Sequence, residues 1–190
     1  MTGDRDGFAE RLRAILASRQ RQTLVRQDLV CAAVLIPLLF KGGVWHVAVT
    51  QRTHDVEHHK GQISFPGGAC EPRDANLVVT ALRETHEEIG VPPAAVEILG
   101  ALDDFPTITD FVVTPFVGII PHPFDYDPNP AEVERVVEVP IPFLCEPDHV
   151  RTEQRVHDGQ VFDVLFWDYG PHVIWGATAR MLKGLLDLVC

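Results

Sequence analysis

Basic residues are scarce in this chain. Sixteen Lys and Arg stand against 27 Asp and Glu in 190 residues, a formal net charge of −11. Proteins that hold a nucleic-acid backbone need basic surface, so this balance argues against a polynucleotide as the main partner. A small phosphorylated ligand is not, because a few local Arg and Lys with metal ions make an attractive pocket on an acidic protein. Long apolar runs are missing too. The longest, 29–40, is broken by Pro37 and is too short to span a bilayer; it reads as a buried strand. The N-terminal Thr2-Gly3-Asp4-Arg5-Asp6-Gly7-Phe8 is polar and of mixed charge, unlike a secretory leader. Cys31, Cys70, Cys145 and Cys190 show no paired short spacing. That argues against a zinc ribbon or a redox pair and for free thiols. A cytoplasmic protein with no membrane contact is the expectation. Neither a repeat, a low-complexity tract nor an interdomain linker is visible, so residues 1–190 read as a single domain.

What is present is a regular alternation of patterns. Phe8, Leu12, Ile15 and Leu16 recur at helical spacing, predicting an amphipathic helix over about 6–19. Residues 30–40 and 44–51 read as strands joined by the turn Lys41-Gly42-Gly43. Residues 63–65 are a short extended piece, and a helix is expected over about 76–89. Further strands are expected over 96–103, 111–120, 132–139 and 161–167, with a closing helix over 172–188. The Pro- and Asp-rich segment 121–130 is a loop and a candidate substrate-facing lid. Strands flanking two helical units suggest a layered α/β arrangement.

The most informative stretch is Gly67-Gly68-Ala69-Cys70-Glu71-Pro72-Arg73-Asp74, followed by Arg83-Glu84-Thr85-His86-Glu87-Glu88-Ile89-Gly90-Val91. At about 100° per residue, Glu84 and Glu88 lie one turn apart, with Glu87 beside them. Val78, Ala81, Leu82 and Ile89 fall on the opposite side. Gly90 is a candidate C-cap, and Pro92 and Pro93 forbid continuation. Three crowded carboxylates repel one another unless cations neutralise them. Their chemistry suits a hard divalent ion, Mg²⁺ or Mn²⁺, held against a phosphate. His54, His58 and His59 share a polar loop that reads as solvent-exposed, and His86 either tunes the glutamate helix or faces water.

These residues resemble the signature of the Nudix hydrolases: Gly, five residues, Glu, seven residues, then Arg-Glu-apolar-x-Glu-Glu-x-Gly-apolar. Here the loop–helix unit spans 67–91, with Asp74 at the loop acid, eight residues between it and Arg83, and Thr85 at the apolar position. The segment Ala48-Val49-Thr50-Gln51-Arg52-Thr53, then Gly61-Gln62-Ile63-Ser64-Phe65-Pro66-Gly67-Gly68, is similar to the motif that precedes this box in coenzyme A pyrophosphatases. Glu57 stands where that motif has a second Arg. Thr114-Pro115-Phe116-Val117-Gly118, Asn129-Pro130-Ala131-Glu132-Val133 and Ile174-Trp175-Gly176-Ala177-Thr178-Ala179 also look like that subfamily.

The resemblance implies an α/β/α sandwich with a mixed β-sheet. It implies metal-dependent hydrolysis of the diphosphate of coenzyme A or acyl-coenzyme A, giving 3′,5′-ADP and (acyl-)4′-phosphopantetheine, and it allows a homodimer. Glu84, Glu87, Glu88 and a carbonyl of Gly68 or Ala69 are the expected metal ligands. Glu132 or Glu84 is the expected general base, ahead of Asp103, Asp104 and Asp110. Arg52 is the phosphate-contact candidate, its guanidinium offering a two-point fork. Gly61, Gln62, Phe65 and Pro66 are expected to line the substrate pocket, with a place in the core equally open to Phe65. Arg83 either pairs with a signature carboxylate to hold the loop on the helix or faces substrate. Two alternatives remain. The same chemistry could act on ADP-ribose, a dinucleotide or a modified nucleotide, or the domain could sense a nucleotide metabolite without turnover.

Overall fold

The computed structural model describes residues 4–53, 61–157 and 159–190. His54, His58, His59, Glu57 and Lys60 lie outside these. Helix α1 (Arg5–Ser18) starts where the Asp4 carboxylate accepts from the Gly7 N–H at 3.0 Å. It buries Phe8, Leu12 and Leu16. The central strand β1 (Val30–Lys41) runs parallel to β7 (Phe111–Ile119) along nearly its whole length. On its other edge it meets two partners in turn. Ala32–Val34 pair with β4 (Gly67–Ala69), and Leu38–Lys41 pair with β2 (Val44–Arg52). Pro37 falls in the gap between these pairings, where its missing N–H disturbs neither ladder.

β2 also pairs with β3 (Ile63–Ser64) and β8 (Val133–Pro140), while β7 pairs with β5 (Glu97–Ala101) and β6 (Phe105–Pro106). The result is a mixed eight-stranded sheet. Alternate residues of β1 serve opposite faces, as the period of a strand requires. Ala32, Val34, Ile36 and Leu38 join Phe8, Leu12 and Leu182 in one core cluster; Ala33, Leu35 and Leu39 join Ala81, Ile89 and Phe116 in another. Helix α2 (Leu77–Ile89) covers the second face, and α1 with α4 (Gly176–Val189) covers the first. The expected α/β sandwich with a mixed sheet is therefore present. No helix among the described residues is long and apolar enough to cross a membrane.

Three expectations are corrected. The closing helix does not begin at His172. His172–Trp175 form β11, paired with β10 (Gln160–Tyr169), and the helix starts only at Gly176, whose φ of +64° breaks the chain direction. A strand unseen in the sequence, β9 (Val150–His157), completes a second, three-stranded sheet. Its Arg-Thr-Glu-Gln-Arg run carries no apolar alternation because it is exposed on both faces.

The cysteines, expected as free thiols, are all paired, Cys31 with Cys70 and Cys145 with Cys190. Sequence separations of 39 and 45 hide what the fold creates. The β1–β4 ladder continues to a Cys70 N–H to Cys31 carbonyl bond of 2.9 Å, and the end of short helix α3 (Ile141–Cys145) meets the end of α4. The thiol argument for a reducing compartment falls with this pairing.

Candidate active site

Helix α2 is built to present acids from one turn. The Asn76 side chain accepts from the Val79 N–H at 3.1 Å, and Gly90 closes the helix in the left-handed conformation at φ +76°. Ala81, Thr85 and Ile89 face the core. Thr85 is tolerated there because its hydroxyl donates to the Ala81 carbonyl at 2.7 Å. Glu88 shares that inward side, so the three glutamates are graded in depth. Glu88 is 3% exposed, the Glu84 side chain 17% and the Glu87 side chain 46%. His86 is exposed and faces water.

The depth of Glu88 sets its chemistry. Burial pushes its carboxyl up to about 8. The Gly67 N–H bonded to it and the nearby Arg52 charge oppose that rise, while the charges of Glu132 and Glu84 add to it. Its Oε2 is buried with no hydrogen-bond partner among the described residues. Glu84 is also shifted upward, first by burial, against the opposing pull of Arg83 and with added repulsion from Glu87 and Glu132. Arg52, at the end of β2, has a buried Nε with no hydrogen-bond partner among the described residues. Its backbone N–H donates to the Gln62 carbonyl at 2.9 Å, which places Gln62 beside it. Gly61 precedes them at φ +67°.

The glycine pair fixes the loop against the helix. At Gly67 (φ +155°) a Cβ would lie 2.4 Å from the Ala33 carbonyl oxygen. At Gly68 it would lie 2.6 Å from the Glu84 carboxyl carbon, so the carboxylate occupies the space a side chain would need. Arg83 then clamps the loop. Its Nε and Nη2 donate to the two oxygens of Asp74, each at 3.0 Å, and Nη2 also donates to the Ala69 carbonyl at 3.1 Å. Nη1 bridges Glu84 at 2.7 Å and Glu87 at 2.9 Å. Asp74 accepts further from the Glu71 N–H and the Thr80 hydroxyl, and Arg83 above all holds its carboxyl below the usual range. The sequence left the role of Asp74 open; the fork is legible only in three dimensions.

The loop 121–130 closes one side. Asp127 N–H donates to the Ile89 carbonyl at 3.2 Å and Asn129 N–H to the Glu88 carbonyl at 2.9 Å. The Asn129 side-chain amide donates to Glu132 Oε1 at 3.3 Å. Thus Glu84, Glu87, Glu88, Gly68, Arg52 and Glu132 are brought together, with Arg83 behind them. Phe65 and Pro66 depart from expectation. Both are buried, Phe65 at 2% exposure in the core cluster, and the Pro66 carbonyl accepts from Leu35 N–H. Their apolar bulk supports the loop from beneath rather than lining a pocket. Asp103 and Asp104 pair with Arg19 and Arg21, apart from the site.

The donor set fits a hard divalent cation. It is all oxygen, includes a buried carboxylate oxygen with no partner, and carries excess negative charge. Among the described residues no group of three or more His, Cys, Asp or Glu side chains is placed to hold a metal ion as the site stands. The bridging Arg83 lies between Glu84 and Glu87 instead. Two clefts, of about 310 and 510 Å³, lie elsewhere and are not lined by the glutamates.

Known proteins share this arrangement of sequence and fold. A family model described as the NUDIX domain matches residues 30–165. A protein named Uncharacterized Nudix hydrolase NudL from Enterobacter sp. (strain 638) is 38% identical over 183 residues, 95% of this chain and 92% of its own. The protein of the same name from Photorhabdus laumondii is 35% identical over 158 residues, covering 83% and 84%. The crystal structure of a NUDIX hydrolase from Alicyclobacillus acidocaldarius superposes with a TM-score of 0.53 at 19% identity, over 86% of this chain and 93% of that one. A C. elegans Ap4A hydrolase in a binary complex gives 0.50 at 18% identity, over 60% and 82%. At such identities the two structures speak for the fold alone.

Proposed function

This chain belongs to the Nudix hydrolases, enzymes that act on pyrophosphate linkages, and we propose that its substrate is coenzyme A or an acyl-coenzyme A. The products are then 3′,5′-ADP and 4′-phosphopantetheine, with any acyl group retained. The observation that carries this reading is how the 48–68 motif, similar to that of coenzyme A pyrophosphatases, folds onto the glutamate helix. Gln51 pairs with Ile63, Arg52 N–H meets Gln62, Arg52 sets part of the charge around Glu88, and Gly67 N–H bonds the Glu88 carboxylate.

In this reading Arg52 grips the diphosphate, with Gly61 and Gln62 beside it. Glu84, Glu87, Glu88 and the Gly68 carbonyl hold Mg²⁺ or Mn²⁺; the Ala69 carbonyl is already engaged by Arg83. When bound, such a cation neutralises charge on the diphosphate and acidifies a water molecule. Arg83 is structural, holding Asp74 and the loop carbonyl while its remaining nitrogen spaces Glu84 from Glu87. Glu132 is the general base, its charge already felt at both Glu84 and Glu88. The ordering of Glu88 at 3% exposure argues against a pure sensor, which has no need of a costly buried acid.

The test is mass spectrometry of products after incubation with Mg²⁺ and, separately, coenzyme A, ADP-ribose, NADH and 8-oxo-dGTP. Release of phosphopantetheine is the expected result. Cleavage of another member alone moves the substrate to a different nucleotide diphosphate, and binding without cleavage of any supports the sensor.

A further inference from the structure

We propose that Asn129 is the positioning residue for Glu132, an inference that rests on Glu132 acting as the base. Five bonds converge on this one side chain and its peptide units. The side-chain Oδ1 accepts from the Ala131 N–H at 3.1 Å. That bond fixes which way the amide points, because only the Nδ2 end is left to face Glu132, and Nδ2 donates to Glu132 Oε1 at 3.3 Å. The main-chain carbonyl accepts from Glu132 N–H at 3.0 Å and from Val133 N–H at 2.8 Å. The main-chain N–H donates to the Glu88 carbonyl at 2.9 Å. One residue therefore joins the last turn of α2, the end of loop 121–130 and the first residue of β8.

The surroundings make the link stiff. Asn129 lies between Pro128 and Pro130, and a residue preceding proline is confined to extended backbone. Glu132 is held from the opposite side too, its carbonyl accepting from Thr53 N–H at 3.0 Å, one residue beyond Arg52. The main chain of Glu132 is thus fixed to both the glutamate helix and the Arg52 strand, and the Asn129 amide donates a side-chain hydrogen bond to its carboxylate. A neutral amide suits that task. It orients one oxygen and leaves the other free to accept a proton, whereas a guanidinium in its place would draw basicity away from the carboxylate. An orienter of a base acts on the chemical step and not on the grip of the substrate.

The test is a double-mutant cycle on the full chain, using whichever nucleotide diphosphate the product panel shows to be cleaved. Asn129→Asp keeps an oxygen for the Ala131 N–H, so the turn is retained, but it removes the donor to Glu132. It lowers kcat by about 10- to 100-fold with KM within about twofold. In the Glu132→Gln background the same change costs less than about threefold, because the residue it positions no longer acts. Asn129→Ala serves as a second variant, with circular dichroism and melting curves to show that both remain folded. An unchanged kcat in folded Asn129→Asp overturns the proposal, and so does an equal loss in the presence and absence of Glu132→Gln. If Glu132→Gln alone retains full kcat, the assignment of the base fails first, and the positioning role fails with it.

Discussion

The Glu84 carboxylate lies against the α-carbon of Gly68, where a β-carbon would come within 2.6 Å of the carboxyl carbon. Gly68→Ala therefore displaces a proposed ligand without touching the core. The backbone at Gly68 is not in the left-handed region, so the substitution carries no conformational strain of its own. We expect kcat/KM to fall about 10-fold or more and Mg²⁺ or Mn²⁺ to bind more weakly by calorimetry, with a near-native melting temperature. Unaltered metal binding and turnover would show that the carboxylate relocates freely.

Glu88 gives a pH dependence whose sign can be worked out. Its folded carboxyl titrates near about 8, against 4.5 for the same group free of burial. Between those values the folded state binds more proton than the unfolded one. Metal-free protein thus has the full benefit of neutral Glu88 below about pH 4.5 and loses it as pH rises through about 8, by on the order of a few kcal/mol. Glu88→Gln should remove that slope, abolish turnover and leave the fold intact. Melting temperatures from pH 5 to 8 with chelator present check it. Parallel profiles for wild type and variant would mean that Glu88 is not the group responsible, and retained turnover would remove it from the site.

Arg52→Ala tests the grip on phosphate. Among the described residues Arg52 Nε is buried with no hydrogen-bond partner, and the Arg52 charge acts on the Glu88 carboxyl. KM should rise about 10-fold or more while kcat holds within a few fold, with little change in melting temperature. Lower thermal stability with preserved kinetics would make Arg52 a structural residue.

The two disulfides should matter to stability. Loops of 39 and 45 residues correspond to at most about 4 kcal/mol each in the chain-entropy account. Urea titrations of oxidised and reduced protein should differ in midpoint, and Cys31→Ser paired with Cys70→Ser should reproduce part of the difference. Coincident curves would show that the β1–β4 ladder alone holds the signature loop.

Much of this was legible in the chain because local signals were strong. Gly90 and the two prolines after it marked the end of the glutamate helix, and its start was expected within a residue of Leu77. The β1–β2 hairpin needed only its apolar runs and Gly42-Gly43. The crowding of Glu84, Glu87 and Glu88 on one helix followed from helical spacing. The rest depended on contacts distant in sequence. Helical spacing places Glu88 about 20° from Ala81 and Glu87 about 100° from Glu88, so the expectation that put Ala81 opposite the glutamates is corrected: Ala81 and Glu88 share the inward side. β9 carries charge on both sides and offered no pattern. The partners of Asp74 and of Cys31 are set by ladder register, and Phe65 entered the core although its motif suggested a pocket.

The order of neighbours along β1 makes that strand a ruler for the site. Its first half places the Gly67–Ala69 loop and its second half places the β2 strand that ends in Arg52, with Pro37 marking the join. A residue inserted between Val34 and Leu38 would slide one partner about 3.3 Å against the other and exchange the two faces of the core. Chain length can therefore drift at hairpin tips such as Lys41-Gly42-Gly43, where an added residue meets only solvent. Within β1 the spacing between the Gly67–Ala69 loop and the strand that ends in Arg52 leaves no such freedom.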